Sequence, residues 1–474
     1  MATNTSSLGT PEQLRDPNYM PPLAAAIPLG IQHVLAMFVS NVTPAIIIAG
    51  AAGFGFGSKS PDFPQLIYMI QMSMLLAGVA TLFQTVGFGP VGARLPVVQG
   101  TSFAFIPVMV PIVAGQGVGA MAGLMTGVVI GGLFHTCLAP IVGRLRFALP
   151  PLVTGLVVLM IGLSLVKVGI QYAAGGVPAI NSPEYGSLQN WFVALVVIFT
   201  TLGFKFFTRG MLSISAVLLG LIAGYVVAYL MGMVSFANVG RAAGFALPKV
   251  MHFGIEFNSA AIIGICLMAI VSAIETVGDV SGIAKGGARR EATDKEISGA
   301  TYADGLGSAI AGVFGALPNT SFSQNVGLIA MTGVMSRHVV TIGAIFLLLC
   351  GFIPKIGAII STVPIEVLGG GVIVMFGMVA AAGVSMLADV NWNRRNMVIF
   401  AISLSVGLGL QLDPKALQYL PKTAQVLMTS GLLPAAFLAI LLNLVLPAEL
   451  VDEQTDEISG GMAGHPQEAG TIKS

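Results

Sequence analysis

Glu275 and Asp279 stand four residues apart in the apolar run AIVSAIETVGDVSGIA, so a helix over this run carries both carboxylates on one face. Two acids on one face within lipid are expensive, and they are expected to face a hydrated cavity, where such a pair is suited to exchanging a proton. Asp304, in ATYADGLGS, is a third acid inside an apolar run and fits either a proton network or a helix–helix hydrogen bond. His33, beside Gln32 in the first apolar run, fits a structural hydrogen bond or a place in the same network. Gln324 and Asn325 bring side-chain amides that donate and accept, which suits the edge of a flat heterocycle with alternating N–H and C=O groups. Phe103 can stack on such a ring or fill the core as any aromatic does. His135 lacks polar neighbours and is assigned to packing. The chain has no His-x-x-x-His, Cys-x-x-Cys or Glu-x-x-His spacing, no Gly-x-Ser-x-Gly and no phosphate-binding loop. These groups therefore point to binding and moving a solute, with no cofactor and no metal, rather than to an enzyme.

The elements that position them must be membrane helices. Of 474 residues, 55% are hydrophobic and 9% charged, and the mean hydropathy of +0.90 far exceeds what a soluble core requires. Sixty glycines and 26 prolines are compatible with this, because lipid-embedded helices use Gly for close approach and tolerate Pro where neighbours satisfy the freed carbonyls. A net charge of +1 gives no reason to expect nucleic acid as a partner. Cys137, Cys266 and Cys350 fall in apolar runs without paired spacing, which assigns them to packing. The polar first 22 residues lack the features of a signal peptide.

A window of about 20 residues per span places fourteen all-α transmembrane segments near 25–50, 65–89, 97–114, 118–141, 149–168, 189–207, 212–234, 258–284, 299–316, 322–334, 337–354, 364–386, 395–411 and 426–446. With the N-terminus inside, fourteen of the 21 Lys and Arg residues fall on the inner side, Arg15, Arg144, Arg146, Lys205, Arg209 and Lys473 among them. That bias favours a multi-pass protein with both termini cytoplasmic, and the expected location is the bacterial cytoplasmic (inner) membrane. Residues 447–474 are acidic and Gly-rich and are expected to form a disordered cytoplasmic tail.

Two echoes reveal a repeat. Gly155-x-Val157-Val158-x-Met160-x-Gly162 recurs as Gly370-x-Val372-Ile373-x-Met375-x-Gly377, and Thr101-Ser102-Phe103 recurs as Thr320-Ser321-Phe322, at offsets of 215 and 219 residues. Both shifts equal seven spans, and an odd shift reverses polarity, which predicts two inverted seven-helix repeats. The second echo lies where spans three and ten look broken. Pro96 to Phe103 is β-branched and Gly-containing, and Leu317 to Asn325 is more polar still. Irregular backbone at membrane depth is tolerated only when buried in protein or lining a cavity, so these breaks mark the expected solute site, with half-helix N-termini offering amide donors.

The run Gln324-Asn325-Val326-Gly327-Leu328-Ile329-Ala330-Met331-Thr332 resembles the signature of the nucleobase/ascorbate transporters, also called nucleobase:cation symporters. Gln32-His33, Gln99-Gly100-Thr101-Ser102-Phe103, Glu275-x-x-x-Asp279 and Asp304-Gly305 accompany it, so the resemblance extends from about residue 22 to residue 447. It implies short antiparallel strands in spans three and ten. It also implies a core domain (23–141, spans one to four, and 258–354, spans eight to eleven) that moves in an elevator-like manner against a gate domain (149–234, spans five to seven, and 364–446, spans twelve to fourteen). By the same resemblance, Glu275 and Gln324 bind opposite edges of a purine, Phe103 stacks on it, and Ser102, Ser323 and Asn325 complete the site. Asp304, Asp279 and His33 then belong to the proton-coupling network, while Gly327 and Thr332 are fixed points of the motif. The implied partners are a small purine, protons, the lipid bilayer and a second copy in a homodimer.

The uracil permeases of the family have an acid where Gln324 stands and a histidine where Asp279 stands, so the xanthine and uric acid branch is the nearer one. Ser102 and Ala104 leave room for an oxygen at C8, and Val326 departs from the Asn of several xanthine permeases. The expected function is proton symport of uric acid, xanthine or both. The alternatives are another nucleobase such as uracil, guanine or hypoxanthine, an anion carrier of the same fold, and a membrane-embedded enzyme.

Overall fold

Pro96 and Pro318 supply no backbone N–H, and the β-branched and polar residues that follow them favour extended backbone. In the computed structural model, both stretches are short strands, β1 (Gln99–Thr101) and β2 (Asn319–Ser321), paired antiparallel with Gln99 opposite Ser321, Gly100 opposite Thr320 and Thr101 opposite Asn319. Each strand leads into a half-helix, Ile106–Val113 after β1 and Ser323–Thr332 after β2. The structure describes residues 9–54, 62–142, 150–237, 239–240 and 242–447. Arg144, Arg146, Lys473 and the expected tail from residue 448 onward lie outside the described residues.

Among the described residues, eight helices are long and apolar enough to cross a bilayer, and these are spans one, two, four, five, six, eight, twelve and thirteen. Spans eleven and fourteen are bent pairs, Arg337–Gly351 with Pro354–Ile360 at 87° and Lys422–Met428 with Leu432–Val445 at 80°. Span seven (Ala216–Leu230), span nine (Asp294–Val313) and the strand and half-helix units of spans three and ten complete fourteen. Side-chain caps start several of them. Asn258 accepts from the Ala261 amide at the start of span eight (Ser259–Ile283), and Thr293 with Glu296 forms a capping box on span nine, contacts worth about 1 kcal/mol each.

Packing follows the inverted repeat. Span five (Pro151–Ala173) runs along its counterpart, span twelve (Ile365–Leu387). Span four (Ala120–Leu138) on span nine is matched by span eleven on span two (Phe63–Thr85). Span eight on span four is matched by span one (Leu23–Ala52) on span eleven, and span seven on span six (Leu188–Phe207) by span fourteen on span thirteen (Arg394–Leu412). Small residues allow these approaches: a Cβ on Gly162 would sit 2.5 Å from the Ala380 amide nitrogen, and one on Gly383 2.3 Å from that of Leu159.

From residue 9 onward the N-terminal segment packs on the helical body. Its short helix Pro11–Arg15 opens with a capping box on Thr10 and docks beside the turn that follows span ten. The amides of Met335 and Arg337 donate to the carbonyls of Leu14 and Pro17 at 2.8 and 2.9 Å. The Arg337 guanidinium reaches Asn18 Oδ1 and the Thr85 carbonyl at 3.0 and 2.8 Å, and Leu14 is buried with Ala26, Val334 and Val339.

Candidate functional site

The strand pair sits at the centre of the molecule, held by span one. The Asn41 side chain donates to the Ser73 carbonyl, and its Oδ1 accepts from the Thr101 amide and hydroxyl at 2.9 and 3.2 Å. A Cβ on Gly100 would lie 2.5 to 2.9 Å from Phe322, Met37 and Asn41, so this close crossing of strand and helix requires glycine.

Beside the strands lies a cavity of about 680 Å³, and Glu275, Gln324, Phe103, Ser323 and Gly327 all line it. Glu275 points into it from span eight, and its carboxyl has no hydrogen-bond partner among the described residues. Ser323 and Gln324 form the first turn of the half-helix Ser323–Thr332, where backbone N–H groups are free of intrahelical bonds and favour negative charge. Phe103 meets Phe376 of span twelve edge to face, ring centroids 5.3 Å apart at 88°, and keeps one side towards the cavity. A Cβ on Gly327 would meet nothing within 4 Å, so any side chain there would extend into open space.

Two buried acids stand behind this wall. Asp279 accepts from the hydroxyls of Ser321 at 2.6 Å and Ser323 at 2.7 Å, which ties it to β2 and to the half-helix start. Asp304 of span nine is fully buried and accepts from the Gln99 amide, the Thr276 hydroxyl and, at 3.0 Å, the Gln84 amide. Ser323 thus touches both the cavity and Asp279, and Thr276 follows Glu275 directly, so each buried acid is linked to the cavity wall by one residue.

The expected site residues separate into two groups. Glu275, Gln324, Phe103 and Ser323 share the cavity, whereas Asn325 and Ser102 do not line it. The Asn325 amide donates to the His33 carbonyl at 3.1 Å and pairs with His33 Nδ1 at 2.9 Å, fastening the half-helix to span one. Ser102 is buried and accepts from the Ala104 amide at 3.2 Å. Thr332 donates to the Leu328 carbonyl and ends the half-helix just before Gly333, whose φ of 68° suits glycine. Gln84, Thr276, Phe376 and Lys205 of this neighbourhood were not marked by the motifs.

The cavity wall includes the middle of span one, the end of span six, span twelve from Val374 to Ala382 and Met331, and its exposed lining residues Phe206, Met331 and Met378 mark its mouth. These all lie towards the face on which the N-terminal segment docks. On the opposite face the spans close together: the Tyr172 hydroxyl donates to the Ile46 carbonyl at 3.1 Å, and the half-helix Ile106–Val113 packs against spans five and fourteen.

Three comparisons bear on this arrangement. Residues 24–416 match the Xan_ur_permease model, described as a permease family. The chain is 35% identical over 436 residues to the uric acid permease PucJ of Bacillus subtilis (strain 168), covering 90% of this chain and 95% of that one. It is 34% identical over 436 residues to the xanthine permease XanQ of Escherichia coli (strain K12), covering 90% and 92%. Among solved structures, the transmembrane domain of the cyanobacterial bicarbonate transporter BicA matches with a TM-score of 0.54 at 14% identity, over 89% of this chain and 97% of that one, a likeness of fold alone.

Proposed function

The chain belongs to the nucleobase/ascorbate transporter family, in its xanthine and uric acid permease branch, and from that premise we propose that it imports uric acid, xanthine or both together with protons across a bacterial cytoplasmic membrane. The observation that carries this reading is the convergence of Glu275, Gln324 and Phe103 on one cavity. An unpartnered carboxylate accepts from ring N–H groups, a side-chain amide both donates to and accepts from the other edge, and an aromatic face covers the ring. The free amides at the start of the half-helix Ser323–Thr332 suit a carbonyl oxygen of the solute.

Proton coupling is assigned to the acids. Glu275 meets the solute, and Asp279 and Asp304 stand one residue behind it, reached through Ser323 and Thr276. Protonation of this cluster as the solute binds limits the charge that must cross the bilayer. His33 acts through Asn325 by fixing the half-helix to span one.

Spans one to four and eight to eleven carry these groups and act as the moving core; spans five to seven and twelve to fourteen act as the gate and provide the dimer contact. With both termini cytoplasmic, the cavity mouth faces inward. The test is uptake of radiolabelled xanthine and, separately, uric acid in cells lacking their own permeases, at acidic and alkaline outer pH. Uptake is expected to fall at alkaline pH and to vanish in Glu275→Gln. Background uptake of both purines by protein properly inserted in the membrane would sink the proposal and turn attention to other nucleobases.

A further inference from the structure

Among the described residues, two ionisable side chains line the cavity, and they stand on different sets of spans: Glu275 on span eight and Lys205 near the end of span six. Lys205 lies four residues after Thr201, so both project from one face of span six, and both line the cavity. Lys205 is exposed and forms no ion pair with a described residue. The turn after span six adds the hydroxyls of Ser213 and Ser215. Ser213 donates to the Lys205 carbonyl at 3.0 Å, which holds that turn against the helix end. The chamber therefore carries both signs of charge, with a carboxyl contributed by span eight and backed by two buried acids, and an ammonium with neighbouring hydroxyl groups contributed by the end of span six and the segment after it.

The two purines in question differ in charge as well as shape. Uric acid gives up its first proton more readily than xanthine and is a monoanion at neutral pH, where xanthine is largely neutral. A monoanion in this chamber is repelled by the acidic wall, and in a site partly shielded from water that repulsion is far stronger than in bulk. A cation lining the same chamber offsets it. Resting on the purine reading above, we infer that Lys205, with the Thr201 face of span six, forms an anion subsite that holds the ionised edge of uric acid and thereby sets the preference between uric acid and xanthine. Arg at this position keeps the charge and can serve the same role; Gln keeps only a hydrogen-bond donor.

The test is equilibrium binding of radiolabelled uric acid and xanthine at neutral pH to the purified full-length protein in detergent, comparing wild type, Lys205→Gln and Lys205→Arg. The ratio of uric acid to xanthine affinity is expected to fall about tenfold in Lys205→Gln, the size of one charge-assisted contact, and to be restored in Lys205→Arg. Xanthine binding serves as the internal control that the variant is folded. An unchanged ratio in Lys205→Gln, or equal weakening of both purines, overturns the anion subsite while leaving the purine reading intact. Wild-type protein that binds neither purine overturns that reading, and this inference with it.

Discussion

The half-helices of spans three and ten derive from the same inverted motif, yet their surroundings differ. Ile106–Val113 is closed in by spans one, four, five, eight and fourteen, and six of its residues, Ile106, Pro107, Val108, Met109, Ile112 and Val113, are buried. Ser323–Thr332 packs on spans one and eight and on the π-helical turn Ala284–Ala288 that continues span eight, with Asn325, Leu328 and Ile329 buried and its other face on the cavity. The inverted counterparts of span three's contacts with five and fourteen are contacts of span ten with twelve and seven, and the cavity takes their place. An inverted repeat therefore need not be symmetric in any one conformation: here the half-helix of span three is packed in and that of span ten borders the cavity, and on the proposed mechanism these are the sealed and open ends of one of two states. Exchange of the two environments is the alternating access that such repeats permit.

The largest effect is expected on the open side. Glu275→Gln should lower purine uptake by about 100-fold or more at equal membrane abundance, because a charged contact is lost where the solute is held; near-normal uptake would remove Glu275 from the site. Two glycines then separate the sides by stability. Gly100→Ala forces a Cβ against Phe322, Met37 and Asn41 and should destabilise the protein by about 1–3 kcal/mol, read as a lower melting temperature in detergent. Gly327→Ala meets nothing and should stay within about 0.5 kcal/mol while altering solute affinity. Equal melting shifts would erase the distinction between the packed strand and the open half-helix.

Accessibility gives a smaller, more direct contrast. With Cys137, Cys266 and Cys350 replaced, Met331→Cys on the open side should react with a membrane-impermeant thiol reagent at least about tenfold faster than Met109→Cys on the sealed one, as their exposures of 48% and 0% imply. The smallest effect concerns the seal. Tyr172→Phe removes a hydrogen bond of about 1 kcal/mol to the Ile46 carbonyl and should shift the balance of states about fivefold. Labelling would then slow at Met331→Cys and quicken at Met109→Cys; unchanged rates at both would show that the phenol does not hold the seal.

Much of this was legible in the sequence, since the fourteen segments and both breaks follow from apolar length, proline, glycine and β-branching. Asn325 and Ser102 lie off the cavity for a geometric reason. Neighbouring helical residues point about 100° apart, so Gln324 in the cavity turns Asn325 away to His33. Ser102, just past the end of β1, is likewise buried and accepts from the Ala104 amide, while Thr101 and Phe103 on either side of it line the cavity. Glu275 and Asp279 share a helix face but not an environment, because the Ser321 and Ser323 hydroxyls capture the second acid. Lys205 gave no signal, because a lysine at a helix end is ordinary until the fold brings that end to the mouth of the chamber.

The docking of residues 9–19 onto the turn after span ten has a practical consequence. On the proposed division into a moving core and a gate, a fluorophore attached ahead of residue 9 rides with the spans that carry Glu275, whereas one attached after span fourteen rides with the spans that carry Phe376. Energy transfer between the two labels would thus read the stroke of the transport cycle as a distance in the intact protein, without any change to the cavity itself.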